Sequence, residues 1–431
     1  MKKFSTETVR LEKIVGGGQT LGQLPSGMKV LVWGGLPGEL VTAQLTKKKS
    51  RYAEGIVTEV IEPSQQRIEP RDPESYLSTS PWQIMTFDAE QHYKAALCEE
   101  AFELHDIVLP EPIEVASDNR TYEYRNKVEF SWWWGNETEQ LDLAFFRRGT
   151  HGKIPVDGTS LATAEINTAA RNLRDVLRQR DCEARSLKTA LIRSSQDGDV
   201  IAQLYVKDED FEPLSDQELD SLNIAGFELI YSNPKSPASV ITERLQQWGK
   251  LALTDTILDV PFTYATEGFF QINLPVYEQA LNDMKEWVVA DKPTVDLYSG
   301  VGTIGLTIGG ENVTMVEISE HAVREMKRNI TALQREKVAK AILAPSEKVL
   351  ENITSNATII VDPPRAGLHE DVVEKLLEAK PARIIYLSCN PVTQARDTAR
   401  LAEKYGIRAH RGYNFFPRTP HIEHLVVLDL K

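Results

Sequence analysis

A cysteine stands where a predicted buried strand meets a loop. The apolar run at residues 384–387, IIYL, is followed by SCNP at 388–391, and Asn-Pro interrupts the strand. Cys389 is therefore either a small core residue, a common fate of free cysteine, or a nucleophile at a strand tip. Its polar neighbours favour the nucleophile. A free thiol is only about 3% ionised at neutral pH, so a nearby group must lower its pKa or accept its proton.

A second candidate site follows an earlier predicted strand at residues 293–298. That strand leads into a turn with Gly300 and Gly302, and Glu317 ends the next strand. Glycines let the backbone turn tightly beneath a ligand, and an acidic residue about 20 residues further on can accept both ribose hydroxyls. The pattern favours a nucleoside site over a generic strand–turn–helix unit. Residues 300–305 also nearly satisfy the dinucleotide fingerprint, so spacing alone leaves NAD open.

The segment VDPPR at residues 361–365 ends the strand before that of Cys389. Two prolines after Asp362 form a rigid platform that can press on a planar base. Hydride transfer needs neither this platform nor a neighbouring thiol, which argues against NAD. In doubly wound sheets ligands bind at the carboxyl ends of the strands, where these residues are expected to meet.

These motifs together resemble the RNA 5-methyluridine methyltransferases, which use S-adenosylmethionine. The shared motifs are DLYSGVG at 296–302, VDPPRAGL at 361–368, LSCNP at 387–391 and HIEH at 421–424. GFFQIN at 268–273 matches the F-Q-x-N element before the family's catalytic core, and YRNKVEF at 124–130 matches its central domain. The N-terminal region resembles its TRAM barrel, so the resemblance spans nearly the whole chain. The combination of DPPR, SCNP and a late glutamate is not generic to methyltransferases.

The resemblance implies methyl transfer to carbon 5 of uridine through a covalent adduct. Addition of a thiolate to carbon 6 makes carbon 5 nucleophilic, and a base must later remove the carbon 5 proton so that elimination frees the cysteine. Cys389 would be the nucleophile and Glu423 the base. The last strand of such sheets usually runs antiparallel, which would bring Glu423 to the edge where Cys389 lies. His421 and His424 flank Glu423 and are rival bases.

The resemblance also implies a set of cofactor contacts: Gln271, Tyr298, Gly300, Thr303, Glu317 and Asp362. Thr303 stands where the family usually has asparagine. Asp362 could instead bond the target base, because it ends the strand next to that of Cys389. Arg365 holds a phosphate or pairs with an acidic residue, and the sequence leaves both alternatives open.

The cysteine content predicts no metal site. Several relatives hold an iron–sulfur cluster between the barrel and the central domain, but the corresponding residues 72–85, DPESYLSTSPWQIM, contain no cysteine. The chain has three cysteines, Cys98, Cys182 and Cys389. Four thiolate ligands cannot be assembled from three cysteines if one is catalytic, so we expect no iron–sulfur cluster. Dispersed cysteines suit a reducing cytoplasm.

The elements that must position these residues predict an α/β protein of three domains. Residues 1–62 combine glycine turns with short strands, which is typical of a small closed β-barrel, and the resemblance implies a barrel of the TRAM or OB-like kind. Residues 63–262 mix strands and helices in a central α+β domain, of which the helical part near 88–118 could pack on the catalytic domain. Residues 263–431 alternate strands and helices, which predicts a Rossmann-like, mostly parallel sheet.

Charge is unevenly distributed along the chain. The net charge of −14 argues against a whole-surface nucleic-acid binder, but residues 1–60 hold nine Lys and Arg against five Asp and Glu. The candidate RNA contacts are Lys47 and Lys48 in this segment, Arg125 in the middle region, and Arg365. Lys127, close to Arg125, could also hold a phosphate. For the lysines a solvated loop is an equal alternative.

Three other functions remain open beside uridine methylation. They are cytosine-5 methylation of RNA by the same addition chemistry, methylation of a base amino group, which needs no thiol, and RNA binding without catalysis. No apolar run reaches membrane-spanning length and the first residues lack a signal segment, so we expect a cytoplasmic protein with no obligate protein partner. The resemblance implies that the substrate is transfer or ribosomal RNA, and the sequence leaves both open.

Overall fold

The computed structural model describes residues 5–135, 138–150, 152–236 and 238–431. Within these residues the strands form a closed barrel, a seven-stranded sheet, a two-stranded ribbon and an eight-stranded sheet. No helix in these ranges is long and apolar enough to span a bilayer. The α/β fold class predicted from the sequence is confirmed.

The N-terminal barrel has the strand order β1-β2-β3-β5-β4. Its strands are β1 (Thr6–Ile14), β2 (Thr20–Gln23), β3 (Lys29–Trp33), β4 (Leu40–Lys48) and β5 (Tyr52–Glu62). Alternate residues such as Val30 and Val32 are fully buried, as expected of a barrel wall. In the turn after β1, Gly18 has a φ of +90°, and a Cβ there would lie 2.3 Å from Pro420 Cβ. The glycine turn therefore allows a close contact between the barrel and the C-terminal region.

The segment after the barrel contributes to the C-terminal sheet. It contains α1 (Tyr76–Thr79), α2 (Phe87–Glu103) and the short strand β6 (Val115–Ala116). Helix α2 is capped by the Thr86 hydroxyl, which accepts the N–H of Ala89. Cys98 and Phe102 on α2 belong to the same apolar cluster as the buried residues of the C-terminal strands.

The central sheet has the order β13-β12-β11-β10-β7-β8-β9. Its strands are β7 (Lys127–Gly135), β8 (Gln140–Phe146), β9 (Lys153–Val156), β10 (Leu187–Ser194), β11 (Val200–Val206), β12 (Gly226–Tyr231) and β13 (Glu243–Gly249), accompanied by α3 (Ala164–Gln179) and α4 (Asp216–Ser221). The apolar side chains of α3, such as Leu173, pack on this sheet. On β7, Trp132 is buried in the same core and Trp134 is exposed.

The C-terminal region begins with a ribbon, followed by alternating strands and helices. Its elements are β14 (Ala252–Ile257), β15 (Val260–Ala265), α5 (Leu274–Lys285), β16 (Thr294–Leu297), α6 (Thr303–Ile308), β17 (Val313–Glu317), α7 (Glu320–Ala332), β18 (Ala339–Leu343), β19 (Thr358–Val361), α8 (Glu370–Ala379), β20 (Arg383–Ser388), α9 (Pro391–Leu401), β21 (Tyr405–Tyr413) and β22 (Glu423–Leu430). Two short 3₁₀ turns, Ser346–Lys348 and Leu350–Asn352, follow β18.

The topology of the eight-stranded sheet determines where functional side chains can meet. Its order is β18-β17-β16-β19-β20-β22-β21-β6. Strands β16 to β20 pair in parallel, so their carboxyl ends share one edge. Strand β22 is antiparallel to β20, with Ser388 opposite His424. The predicted parallel sheet with an antiparallel last strand is therefore confirmed, and residues that precede β22 lie at the same edge.

Candidate active site

A cavity of about 960 Å³ lies at this edge of the eight-stranded sheet. The predicted catalytic and cofactor-binding residues and Arg365 line it: Gln271, Tyr298, Gly300, Thr303, Glu317, Asp362, Arg365, Cys389 and Glu423. Most of them follow the carboxyl end of a parallel strand, and Glu423 begins the antiparallel one. The sheet order thus brings together residues that are widely separated in the sequence.

Cys389 and Glu423 are neighbours across the β20–β22 pair. Ser388, the last residue of β20, lies opposite His424 of β22. Cys389, which follows Ser388, is therefore close to Glu423, the first residue of β22. Glu423 is 4% exposed, and Cys389 is half-buried. A thiol and a carboxyl group therefore stand side by side in one cavity.

The electrostatics of the cavity disfavour a free thiolate. Burial, with the neighbouring carboxyl groups of Glu423 and Asp362, raises the pKa of Cys389 to about 12, while Arg365 opposes this effect. Burial raises the pKa of Asp362 to about 7. Burial and the charge of Asp362 raise the pKa of Glu423 well above its ordinary value. Of the two routes to a reactive thiol, a lowered pKa or a proton acceptor, the structure favours the acceptor.

Neither rival histidine is a good base in this structure. His424 is fully buried, with Nδ1 2.7 Å from Gln394 Oε1 and Nε2 3.4 Å from His410 Nδ1, and burial lowers its pKa to about 3. His421 lines the cavity, but burial and the nearby Arg365 lower its pKa to about 4. Both imidazoles are therefore neutral near pH 7 and bind protons weakly.

The opposite end of the cavity is built around Glu317. Its carboxylate accepts the N–H of Gly300 at 3.0 Å and the N–H of Ser319 at 2.7 Å, which fixes its orientation and leaves lone pairs for hydroxyl groups. A Cβ on Gly300 would meet no atom within 4 Å, so the turn leaves space above it. A Cβ on Gly302, whose φ is +87°, would lie 2.9 Å from Met326 Cγ. The turn therefore requires glycine at 302.

Tyr298 and Thr303 complete this end of the cavity. Tyr298 has a φ of +63°, which is rare for an aromatic residue, and its hydroxyl accepts the N–H of His369 at 3.4 Å. The Thr303 hydroxyl lies 2.8 Å from the Tyr277 hydroxyl. Tyr277 and Phe416 also line the cavity and were not identified from the sequence, although Phe416 belongs to the same segment as His421.

Arg365 presents its side chain without a carboxylate partner. Asn390 Nδ2 and Thr393 Oγ1 hold its carbonyl oxygen at 2.8 and 3.2 Å. Its guanidinium is exposed and forms no ion pair with any carboxylate in the described ranges. The alternative in which Arg365 pairs with an acidic residue is therefore not observed.

The other candidate RNA contacts lie outside the cavity lining. Lys47 and Lys48 are exposed at the end of β4. Arg125 is half-buried near His421, and its Nε has no hydrogen-bond partner among the described residues. Lys127 is partly buried, and its Nζ donates to the carbonyls of Glu267 and Gly268. Two of its three N–H donors are therefore used within the protein, which disfavours the phosphate interpretation.

A second cavity of about 820 Å³ lies beside α3 and contains the arginines of that helix. Arg174 pairs with Asp157 at 2.5 Å and Arg178 with Asp142 at 2.5 Å. The charges in this cavity are largely neutralised within the protein. Among the described residues, no group of three or more His, Cys, Asp or Glu side chains is arranged to hold a metal ion.

Comparison with known proteins assigns the chain to a family. Residues 92–431 match the family described as tRNA (Uracil-5-)-methyltransferase. An RNA methyltransferase of Enterococcus faecalis is 29% identical over 91% of this chain and 90% of that protein. One of Lactobacillus johnsonii is 28% identical over 94% of both.

The fold also matches a solved structure. The Pyrococcus abyssi tRNA (uracil-54, C5)-methyltransferase in complex with S-adenosyl-L-homocysteine superposes with a TM-score of 0.80 at 22% identity, covering 98% of this chain and 100% of that chain. This likeness concerns the fold, whereas the family match covers most of the sequence. The chain belongs to the tRNA (uracil-5-)-methyltransferase family and is an S-adenosylmethionine-dependent RNA (uracil-5-)-methyltransferase.

Proposed function

We propose that the protein methylates carbon 5 of one uridine in a structured RNA through a transient bond between Cys389 Sγ and carbon 6 of the base. The observation that carries this proposal is that Cys389 and Glu423, which adjoin the Ser388–His424 pair of β20 and β22, line a single cavity. A thiol and a base on one edge of a pyrimidine are what addition and elimination require.

The residues around the cavity support distinct roles in this reaction. Cys389 is protonated in the free enzyme, and its proton passes to the Asp362 carboxylate as Sγ bonds to carbon 6. S-adenosylmethionine, when bound, supplies an electrophilic methyl group. The Glu423 carboxylate then takes the proton from carbon 5, and the carbon 6–sulfur bond breaks with its electrons returning to Cys389. The thiolate recovers its proton from Asp362, and Glu423 gives the carbon 5 proton to solvent. One proton is released in each cycle.

The cofactor contacts are proposed to come from both ends of the cavity. Glu317 is oriented to accept ribose hydroxyls, and the open turn at Gly300 gives a nucleoside close access to the backbone. The remaining contacts are assigned to Gln271, Tyr298, Thr303 and Asp362, which line the space between Glu317 and Cys389. These residues fit S-adenosylmethionine. Its adenosine would lie at the turn of Gly300 and Glu317, and its reactive methyl group must come close to Cys389.

The target base must leave its stack to reach this cavity. Base flipping costs on the order of a few kcal/mol, which contacts to the surrounding RNA must offset. We assign these contacts to the exposed Lys47 and Lys48 of the barrel, and to Arg125 and Arg365 near the cavity. Residues 1–62 and 63–262 would then hold the RNA, and residues 263–431 would carry the chemistry.

We propose transfer RNA as the first candidate substrate and ribosomal RNA as the second. The family description and the Pyrococcus protein both name tRNA. A cytoplasmic location, without an obligate protein partner, is part of the proposal. It is supported by three dispersed cysteines, which suit a reducing compartment.

The test of this function is mass mapping of RNA from a strain that lacks the gene. Incubation of that RNA with purified protein and S-adenosylmethionine should add one methyl group to carbon 5 of a single uridine. Methylation of cytidine, or of a base amino group, would contradict the proposal. RNA binding without methyl transfer would instead support a non-catalytic protein.

The pKa of Asp362 predicts the pH dependence of the reaction. Its carboxyl group is protonated below about pH 7 and ionised above it. Because the thiol needs a proton acceptor, the single-turnover rate should rise between pH 6 and 7 and level off near pH 8. Asp362→Asn should remove this inflection. A rate that falls over this interval, with RNA binding unchanged, would contradict the assignment.

A further inference from the structure

The loop of residues 267–271 forms one wall of the cofactor cavity, but it is held by a different part of the molecule. All five of its residues line the cavity, and the loop connects β15 to α5. Its backbone carbonyls accept hydrogen bonds from side chains of the central sheet. The wall of the cavity therefore depends on strands that carry none of the proposed catalytic groups.

Three side chains of the central region make these hydrogen bonds. Lys127 Nζ donates to Glu267 O at 3.0 Å and to Gly268 O at 3.1 Å. The Arg193 guanidinium donates through Nη1 to Gly268 O at 2.9 Å and through Nη2 to Phe270 O at 2.9 Å. Asn126 Nδ2 donates to Gln271 O at 3.1 Å. Four of the five carbonyls of the loop are thus fixed from β7, from the residue before it and from β10.

Arg193 is an unusual residue to find at this place. It is 0% exposed and forms no ion pair within 4 Å in the described part of the chain. Its guanidinium lies 4.5 Å from the ring of Tyr264, which stacks on Phe270 at 4.0 Å. A buried cation is costly unless its donors are satisfied, and the planar guanidinium can satisfy two carbonyls in a fixed geometry. The Arg193 guanidinium therefore donates two hydrogen bonds to backbone carbonyls of the loop.

We propose that Lys127 and Arg193 are positioning residues that hold the 267–271 wall in the shape that binds S-adenosylmethionine. The inference rests on the proposed assignment of this cavity to the cofactor. Loss of Lys127 would free the Glu267 carbonyl and leave Gly268 O with one donor, and loss of Arg193 would free the Phe270 carbonyl next to Gln271. These carbonyls flank Phe269, which is 72% exposed on the cavity wall. Small displacements of a binding wall weaken affinity strongly, since the geometry must be preorganised.

The charge on Lys127 makes this arrangement sensitive to pH. Burial, together with Arg193, lowers the pKa of Lys127 to about 8. The charged groups around it are Arg193 on β10, Glu129 on β7, Glu267 in the loop and Glu325 on α7. Glu267 in turn lies within 4 Å of Arg244 on β13 and of His321 on α7. The ammonium is charged below about pH 8 and becomes neutral above it. Its bonds to the two carbonyls then lose their charge assistance, so cofactor affinity should decrease as the pH rises from 7 to 9.

The experiment measures the dissociation constant of S-adenosylhomocysteine by titration calorimetry on the full chain without RNA. Lys127→Met should weaken binding about tenfold at pH 7, because two charge-assisted hydrogen bonds are lost. Lys127→Arg, which keeps a cation, should remain within about twofold of the native chain. The matched control is Lys153→Met. Lys153 also lies in the central sheet and donates to a backbone carbonyl, Trp132 O at 2.8 Å, but it is outside the cavity lining.

The pH profile provides a second test that does not depend on the folding of the methionine variant. The native chain should lose affinity between pH 7 and 9, and Lys127→Arg should not. Equal affinities of the native chain and a folded Lys127→Met variant, or parallel pH profiles of the native chain and Lys127→Arg, would overturn the inference while leaving the proposed function intact. If the native chain bound no S-adenosylhomocysteine, the cofactor assignment itself would fail, and this inference with it.

Discussion

Replacement of Cys389 by alanine is expected to abolish uridine methylation, with a loss on the order of 10⁴-fold or more in turnover. Without the thiol, no bond forms to carbon 6, and carbon 5 remains too poor a nucleophile to accept the methyl group. The expected measurement is incorporation of label from methyl-labelled S-adenosylmethionine into RNA under single-turnover conditions. Binding of S-adenosylhomocysteine should be unchanged, because Cys389 lies at the opposite end of the cavity from Glu317.

The matched control for this variant is Cys182→Ala. Cys182 is half-buried in the central region and does not line the cavity, so its variant should retain full activity. Cys98 is a poorer control, because it is fully buried in the C-terminal core and its loss would leave a cavity there. Substantial methylation by Cys389→Ala would indicate amino-group methylation, which needs no nucleophile.

Substitution of Glu423 by glutamine is expected to stop the reaction after methyl transfer. The amide keeps the size of the side chain in a buried position but cannot take the carbon 5 proton. Loss of a general base typically slows a step by about 10²- to 10⁴-fold. Because elimination is the blocked step, methylated RNA should accumulate as a covalent adduct with the protein. The adduct should appear as a band of reduced mobility in a denaturing gel.

His421→Gln distinguishes Glu423 from its rival. His421 lines the same cavity, but its lowered pKa makes it a weak base, so its variant should turn over without trapping RNA. An adduct with His421→Gln and none with Glu423→Gln would move the base to the histidine. His424 needs no such variant, since it does not line the cavity.

The sequence predicted the fold well where periodicity was strong. The apolar runs of β16, β17, β19 and β20 are buried on both faces, and such runs are readily recognised. Strand β21, YGIRAHRGY, was missed because its arginines, histidine and glycines obscure any apolar run. Strand β18 was missed because several of its residues are exposed at the sheet edge.

The site residues proposed from the sequence come together in one cavity, but the sequence did not indicate their electrostatics. Motifs identified the thiol, the carboxylates and the glycine turn, because each ends or begins a recognisable strand. They could not show that burial raises the pKa of Cys389, since this depends on carboxyl groups brought in from other strands. The sequence also contains no sign of the hydrogen bonds that Lys127 makes. Its acceptors, Glu267 and Gly268, are backbone groups some 140 residues away, and nothing in the sequence marks them.

The covalent bond can be located directly by tandem mass spectrometry of the trapped complex. Trypsin should release the peptide of residues 384–396, IIYLSCNPVTQAR, from the Glu423→Gln adduct after nuclease treatment. The predicted result is a methylated uridine nucleotide attached to Cys389 Sγ in this peptide. An unmodified peptide with the nucleotide attached elsewhere, or a nucleotide on Cys389 that carries no methyl group, would contradict the proposed order of addition, transfer and elimination.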